Sequence, residues 1–268
     1  MSTLSVEKLE IRNVNLETLD DLVNICVSPD RRHDPLLIIG MNAKKEWAAQ
    51  VIKMYGSIAK LAYLNSKPVG MIQYTLNPEE RLVEIKCIYV PEKENLGKGI
   101  GKSLLNALIE DMKKPKSVFK NDIPLAIVTS AFQVPGEFSQ HEFYLRMGFK
   151  KASEGDPFFL YYPLKKEYVP ASKERKFIPQ EEDYGKALIF FDPSCPFSAY
   201  FSEKIKESVK EVAPNVSIRI VDKFKDEEDV KKRGYAPYCV VNGRSIETFF
   251  RDKEKFQKEV KHALEVKK

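Results

Sequence analysis

The chain has 268 residues, and its 44 basic side chains against 39 acidic ones leave a formal charge of +5. The two signs are interleaved, which argues against the concentrated basic face of a nucleic-acid binder, and 43% hydrophobic with 11% aromatic content argues against disorder. No apolar run approaches the ~20 residues of a membrane span, and residues 1–13 carry no basic-then-apolar leader, so a cytoplasmic protein of two domains is expected.

In chain order, alternation predicts a strand over residues 4–14, and 3.6-residue periodicity a helix over 16–27 with Leu19, Leu22 and Ile25 inward. Residues 28–42 read as a loop with an apolar middle, followed by a helix over 43–55. Strands over 58–65 and 69–76, joined by a turn at Asn65–Pro68, lead to a third strand over 82–90 that Pro91 ends. A helix over 99–113, a strand over 125–131, a short helix over 141–147 and strands over 149–152 and 158–164 complete this half. Charge and proline then accumulate over 165–184, which marks a boundary. Beyond it, strands are expected over 187–191 and 216–221, helices over 197–212, 227–233 and 253–266, and a hairpin of 238–241 with 245–250 about the Asn242–Gly243 turn.

Cysteine and histidine usage narrows the chemistry. Cys26, Cys87, Cys195 and Cys239 form no CxxC pair, and His33, His141 and His262 have no i, i+4 spacing, so no metal is expected. Carboxylates, tyrosine, backbone amides or a lone thiol must carry the reaction.

The densest chemical signal is Leu96-Gly97-Lys98-Gly99-Ile100-Gly101-Lys102, between a strand and a helix. Glycines allow close backbone approach, and the free amides and positive dipole of a helix start suit phosphate or pyrophosphate. The spacing fits neither GxxxxGK[ST] nor GxGxxG. Without its flanks, the segment is equally a plain glycine turn entering a helix.

Read with the element order and with His141-Glu-Phe-Tyr144-Leu-Arg-Met-Gly148-Phe149, the N-terminal part resembles the GNAT superfamily of acyl-CoA-dependent N-acyltransferases. The helix-to-strand segment is similar to that family's FYxxxGF motif. The loop is similar to its Q/R-x-x-G-x-G/A signature, with Leu96 where Gln or Arg is usual. The resemblance implies an α/β acyltransferase fold over residues 1–166 and acetyl-CoA as cosubstrate. Backbone groups around Ile88 and Val90 would hold the pantetheine arm, and the segment from Leu96 to Lys102 the pyrophosphate. It further implies direct attack of an amine on the thioester, with Tyr144 protonating the leaving thiolate. A phenol with ordinary pKa ~10 is a plausible acid for a thiol near ~8.5. Tyr144 as a core aromatic packed on Phe149 stays open. Glu84 is the carboxylate candidate for the general base, or a solvated strand residue. Asp34, Glu46 and Trp47 lie where related folds cover the acceptor, and recognition of a cationic amine or ordinary packing both fit them.

A second signal is Cys195-Pro196-Phe197-Ser198 after a strand, where a helix start favours thiolate. Together with Pro237 before the last hairpin, it resembles the thioredoxin/glutaredoxin family over about residues 185–266. Cys195 to Ser198 then stands as a monothiol CxxC, Pro237 where that family has a cis-proline, and Cys239 as an alternative resolving thiol. The tandem resembles YoaP-type acetyltransferases. The expected organisation is an acyltransferase domain at 1–166, a linker at 167–184 and a small thioredoxin-like α/β domain at 185–268. The expected function is acetyl transfer to a small-molecule or peptide amine, with no nucleic acid, membrane or metal involved and homodimerisation open. The alternative is a monothiol redox or acyl-CoA-sensing protein using Cys195.

Overall fold

In the computed structural model the described residues are 8–131, 139–153, 155–166, 168–170 and 176–265. They fall into two compact units, Met1–Ser28 with Ala48–Lys173, and Pro29–Trp47 with Glu174–Lys268.

The first unit is built on a seven-stranded sheet. Its strands are β1 (Leu9–Asn13), β2 (Ala59–Leu64), β3 (Lys67–Asn77), β4 (Leu82–Tyr89), β5 (Ala126–Ser130), β6 (Lys150–Lys151) and β7 (Phe159–Pro163), in the order β1-β2-β3-β4-β5-β7-β6. All neighbours are antiparallel except β4 and β5. The parallel step follows from the crossover helix α3 (Ile100–Met112), since two parallel strands cannot be joined by a hairpin. Leu104, Leu105, Leu108, Ile109 and Met112 recur at helical spacing and bury against Ile72, Tyr74, Val83 and Ile85. Each such side chain removed from water contributes about 1.5–3 kcal/mol. Close approach of α3 to the sheet depends on Gly70. A Cβ there would meet Ile100 Cγ2 at 2.8 Å and Leu104 Cδ1 at 3.2 Å.

Two local expectations are corrected in this half. The helix expected over 16–27 is a 3-10 turn, Leu16–Thr18, running into the short α1 (Leu19–Asn24). A capping box between Asn15 and Thr18 starts the turn, so the chain tightens before the α-helix begins. The loop expected over 28–42 is instead a 3-10 turn at Pro29–Arg31 and then helix from Pro35, continuous through α2 (Pro35–Tyr55). Asp34 Oδ1 accepts from the amide of Leu36 at 2.9 Å, and Pro35 enters the first turn, where its missing N–H costs nothing. The Asp-Pro pair is a helix start that an apolar run ending in Gly40 disguised.

The second unit has the order β-α-β-α-β-β-α: β8 (Lys186–Phe191), α5 (Ser198–Val212), β9 (Ser217–Asp222), α6 (Glu227–Lys232), β10 (Cys239–Val241), β11 (Arg244–Ser245) and α7 (Lys253–Glu265), with α4 (Gln140–Arg146) lying in the first unit. Its sheet order is β11-β10-β8-β9, parallel only between β8 and β9. Ala187 and Ile189 of β8 face a core with Ile205, Val209, Phe256 and Val260, while Leu188 and Phe190 face Phe177, Val221 and Val240. That two-sided burial explains the unbroken apolar run of β8. The strand expected over 245–250 stops at Ser245, because Phe249 and Phe250 turn into an aromatic cluster with Phe201.

The segment expected as linker is folded where it is described. Phe177 bridges Gly234, and the amide of Ile178 donates to the Arg233 carbonyl at 3.0 Å. Arg233, fully buried, grips Asp183 through Nε at 3.0 Å and Nη2 at 2.7 Å, Asp229 through Nη1 at 2.7 Å and Glu182 through Nη2 at 2.8 Å. Hydrogen bonding to Asp183 holds this guanidinium firmly in its charged form. Two of the charges expected in a linker, Glu182 and Asp183, are thus counter-ions of a buried arginine.

Candidate functional site

The site grows out of the way β4 ends. Along Leu82–Ile85 the strand pairs with both β3 and β5, but its partnership with β5 stops at the Ile85–Thr129 rung, while pairing with β3 continues to Tyr89. Among the described residues, therefore, the strand has a ladder on one side only from Lys86 onward. A register shift between Gln73 and Tyr74 leaves Lys86 as an extra residue. Beyond it Ile88 and Val90 turn toward α3, as Val83 and Ile85 do before it.

The chain then passes through a 3-10 turn at Lys93–Asn95 into the glycine loop. Gly97 and Gly99 both have left-handed backbones, φ +76° and +79°, which Cβ-bearing residues seldom adopt. A Cβ at either would meet nothing within 4 Å, so backbone conformation and not crowding requires glycine. Gly99 also sits at the N-cap of α3, where no side chain caps the helix. The first helical hydrogen bond runs from the Ser103 amide to the Gly99 carbonyl, so the amides of Ile100, Gly101 and Lys102 take no part in the helix ladder. Lys98 and Lys102 are exposed beside them, Lys98 reaching Asn95 Oδ1 at 3.4 Å. Of the residues named from sequence, Ile88 and Val90 pack toward α3 and Ile100, its first residue, is buried in the same core, so all three offer a ligand only backbone groups. Leu96 is 58% exposed. Gly101 lies next to Phe143, whose ring would be 3.8 Å from a Cβ there.

Tyr144 reaches this region from α4, whose first turn Ser139 caps by accepting from the Glu142 amide. Its ring is fully buried between Phe143 and Phe149, at centroid distances of 5.3 and 5.0 Å. Burial raises the phenol pKa well above its ordinary value, and a hydrogen bond with Thr129 partly opposes that. Thr129 in turn donates to the Ile85 carbonyl at 3.3 Å. Tyr144 is thus a core aromatic and, at the same time, has its hydroxyl at the parting of β4 and β5. Glu84 is half-exposed and ion-paired with Lys86 at 2.9 Å. Val83 and Ile85 face the core that holds Tyr144, so Glu84, alternating with them, projects from the other face with Leu82 and Val128.

In the second unit, Cys195 lies in a turn, and α5 begins only at Ser198, so Pro196 precedes the helix by two residues. Ser198 Oγ accepts from the Asp192 amide at 2.8 Å, and Asp192 Oδ1 accepts from the Ser194 amide at 3.0 Å. Cys195 is half-buried. Cys239 is fully buried in the core of this unit, and burial pushes its thiol up to about 12. Burial there disfavours the thiolate form. Pro237 is buried ahead of β10, and every peptide bond among the described residues is trans. From Phe197, next to the turn, a chain of ring contacts runs through Phe201 to Tyr200, Tyr238, Phe249 and Phe250.

The 3-10 turn at Pro29–Arg31 and helix α2 supply residues the sequence reading passed over. Gly40 lies so close to the Cys195–Pro196 turn that a Cβ would fall 1.9 Å from the Pro196 carbonyl oxygen. Arg31 stacks over Phe197 and Tyr200, at 5.4 and 5.7 Å from their centroids. Asp34 is the cap of α2, Trp47 is buried and Glu46 is exposed. Thr129, Gly70 and Gly40 carried no sequence signal, since each acts through a neighbour distant in the chain. No group of three or more metal-binding side chains occurs among the described residues, and no described helix is long and apolar enough to cross a membrane.

Residues 34–149 match the acetyltransferase (GNAT) family. No curated protein matches the chain. Among solved structures, the PaiA N-acetyltransferase of Thermoplasma acidophilum in complex with coenzyme A is 20% identical, covering 58% of this chain and 99% of its own, at a TM-score of 0.42. A GNAT family acetyltransferase of Brucella melitensis in complex with acetyl-CoA is 12% identical over 60% of this chain and 92% of its own, at 0.41. A Pyrococcus horikoshii protein described as an acetyltransferase is 18% identical over 56% of this chain at 0.39, and this chain spans under half of its length, 46%.

Proposed function

We propose, from the GNAT acetyltransferase segment that residues 34–149 form, that the chain transfers an acetyl group from acetyl-CoA to an amine. One observation carries this reading: a strand open along one side from Lys86, among the described residues, leads through the 3-10 turn and the glycine loop to a helix start with free amides. The open edge suits the amide groups of a pantetheine arm, by strand addition. The amides from Gly97 to Lys102, with Lys98 and Lys102, suit a pyrophosphate.

The chemistry then needs two proton movements. The amine nitrogen attacks the thioester carbonyl, a C–N bond forms, the C–S bond breaks, and the thiolate takes a proton. Tyr144 is assigned that proton transfer, because burial keeps its phenol protonated and Thr129 orients it. Glu84, on the opposite face of β4, is assigned the proton lost by the amine. A donor and an acceptor on opposite sides of the parting strands suit a carbonyl flanked by nucleophile and leaving group.

We assign the acyltransferase domain to residues 1–166 and a thioredoxin-like domain to 185–268, with 176–184 serving the latter. The strand order β11-β10-β8-β9 supports that assignment. Ser198 with its hydroxyl engaged and Cys239 deep in the core favour docking over two-thiol exchange for this domain. Coenzyme A release with a panel of small and peptide amines tests the function. At least one amine should give stoichiometric thiol release, and acetyl-CoA hydrolysis alone, with no acetylated amine, would reject it.

A further inference from the structure

A cavity of about 520 Å³ opens in the first unit at the start of β4, the end of that strand remote from the glycine loop. Its volume falls in the range of small-molecule sites. One wall is the turn between β3 and β4, with Pro78, Glu79 and Arg81, and the other is the loop leading to β5, with Val118, Phe119 and Lys120. That loop is preformed. Lys116 and Asp122 bridge across its neck, the Asn121 amide donates to the Lys116 carbonyl at 3.0 Å, and Phe119 is anchored in the main core. Arg81 and Lys120 both hold left-handed backbones, φ +56° and +57°, which residues with long side chains seldom adopt. Such positions recur where a ligand is gripped.

The protein leaves part of the charge here unanswered. Arg81 donates only through Nη2, to Asp122 and, at 3.0 Å, to the Ile123 carbonyl. Its Nε is buried without an acceptor, and Nη1 has none among the described residues. Asp122 also accepts from Lys165 at 2.7 Å, so one carboxylate faces two cations. Glu79 and Lys120 are exposed and form no ion pair among the described residues, with each other or otherwise. We propose that this cavity binds an α-amino acid with an apolar side chain. The carboxylate meets Arg81 and Lys120, the ammonium meets Glu79, and the side chain lies against Pro78, Val118 and Phe119. A simple carboxylate would leave Glu79 unmatched, and a simple amine would leave Arg81 and Lys120 unmatched. The groups assigned to the coenzyme begin at Lys86, so this site stands independently of the acetyltransferase reading.

The test is calorimetric titration of the full chain with L-phenylalanine, beside N-acetyl-L-phenylalanine, which lacks the ammonium, and L-phenylalaninamide, which lacks the carboxylate. We expect saturable binding of L-phenylalanine in the millimolar range or tighter. The amide should bind about tenfold more weakly, the scale of one charge-assisted hydrogen bond. The N-acetyl form should bind about threefold more weakly, the scale of an exposed ion pair. Glu79→Gln should weaken L-phenylalanine by that same factor and leave the N-acetyl form unchanged, while Lys120→Gln should weaken both. These two side chains are exposed, so their variants leave the core intact. Arg81→Gln, checked as folded by its melting transition, should bind none of the three. No saturable binding of L-phenylalanine to the parent, or unchanged affinity in both Glu79→Gln and Lys120→Gln, would overturn the site. Equal affinity of the parent for L-phenylalanine and its N-acetyl form would overturn the place of the ammonium at Glu79.

Discussion

Thr129 donates its hydroxyl hydrogen to the Ile85 carbonyl across 3.3 Å, on the last rung that β4 and β5 share. The same hydroxyl is the partner of Tyr144. One small side chain thus closes the ladder and aims the phenol. Thr129→Val keeps the shape and removes both bonds, leaving buried polar groups unmatched. Urea unfolding should show a loss of about 1–3 kcal/mol, and kcat should fall while acetyl-CoA still raises the melting temperature.

Tyr144→Phe removes only the hydroxyl. Turnover should drop about 10²-fold, the usual scale of general acid catalysis, with coenzyme binding retained. The sign of the pH effect is fixed by burial. A raised pKa keeps the phenol protonated to higher pH, so any alkaline limb it causes in kcat lies above the ordinary ~10. A limb well below that value which persists in Tyr144→Phe belongs to another group, and an unchanged kcat would leave Tyr144 as a core aromatic alone.

Gly99 carries the left-handed N-cap of α3 at φ +79°. Gly99→Val forces a β-branched residue into that backbone and covers the amides behind it. Acetyl-CoA at 100 times its Kd should stabilise the parent by roughly 2.7 kcal/mol, read as a thermal shift, and the variant should show none.

Asp122 joins strand ends distant in sequence. Lys165 Nζ at 2.7 Å, the Ile123 amide at 2.7 Å and Arg81 together hold its carboxyl at about 2. In the unfolded chain it titrates near ~3.9. The folded form therefore releases its proton first, and the resulting stability is present above about pH 4 and is lost as pH falls through 2. Asp122→Asn should flatten the acid limb of a melting-temperature profile between pH 4 and 2 and leave the slope above pH 5 unchanged.

Much of this molecule was legible in its sequence. Apolar periodicity marked α3 through Leu104, Leu105 and Leu108, and the paired glycines at 97 and 99 marked a backbone that only glycine takes readily. What escaped was set by partners far along the chain. Gly40 falls in a stretch that reads as loop until Pro196 is seen against it, and Asp183 reads as linker charge until Arg233 is buried beside it. Asp34, read as an acceptor-binding carboxylate or as packing, proves to be the local cap of α2.

The extra residue in β4 makes the strand behave like a reading frame. Before Lys86 the odd positions, Val83 and Ile85, face α3; after it the even ones, Ile88 and Val90, do. Deleting Lys86 would remove the bulge without turning any neighbour over, because plain alternation from Ile85 then carries Cys87 and Tyr89 outward and Ile88 and Val90 inward, as they already face. Deleting Cys87 as well would turn Ile88 and Val90 away from the helix. The register shift is therefore a counting device: it moves the inward positions from odd to even, so the first half of the strand builds a sheet core and the second half leads toward a helix start.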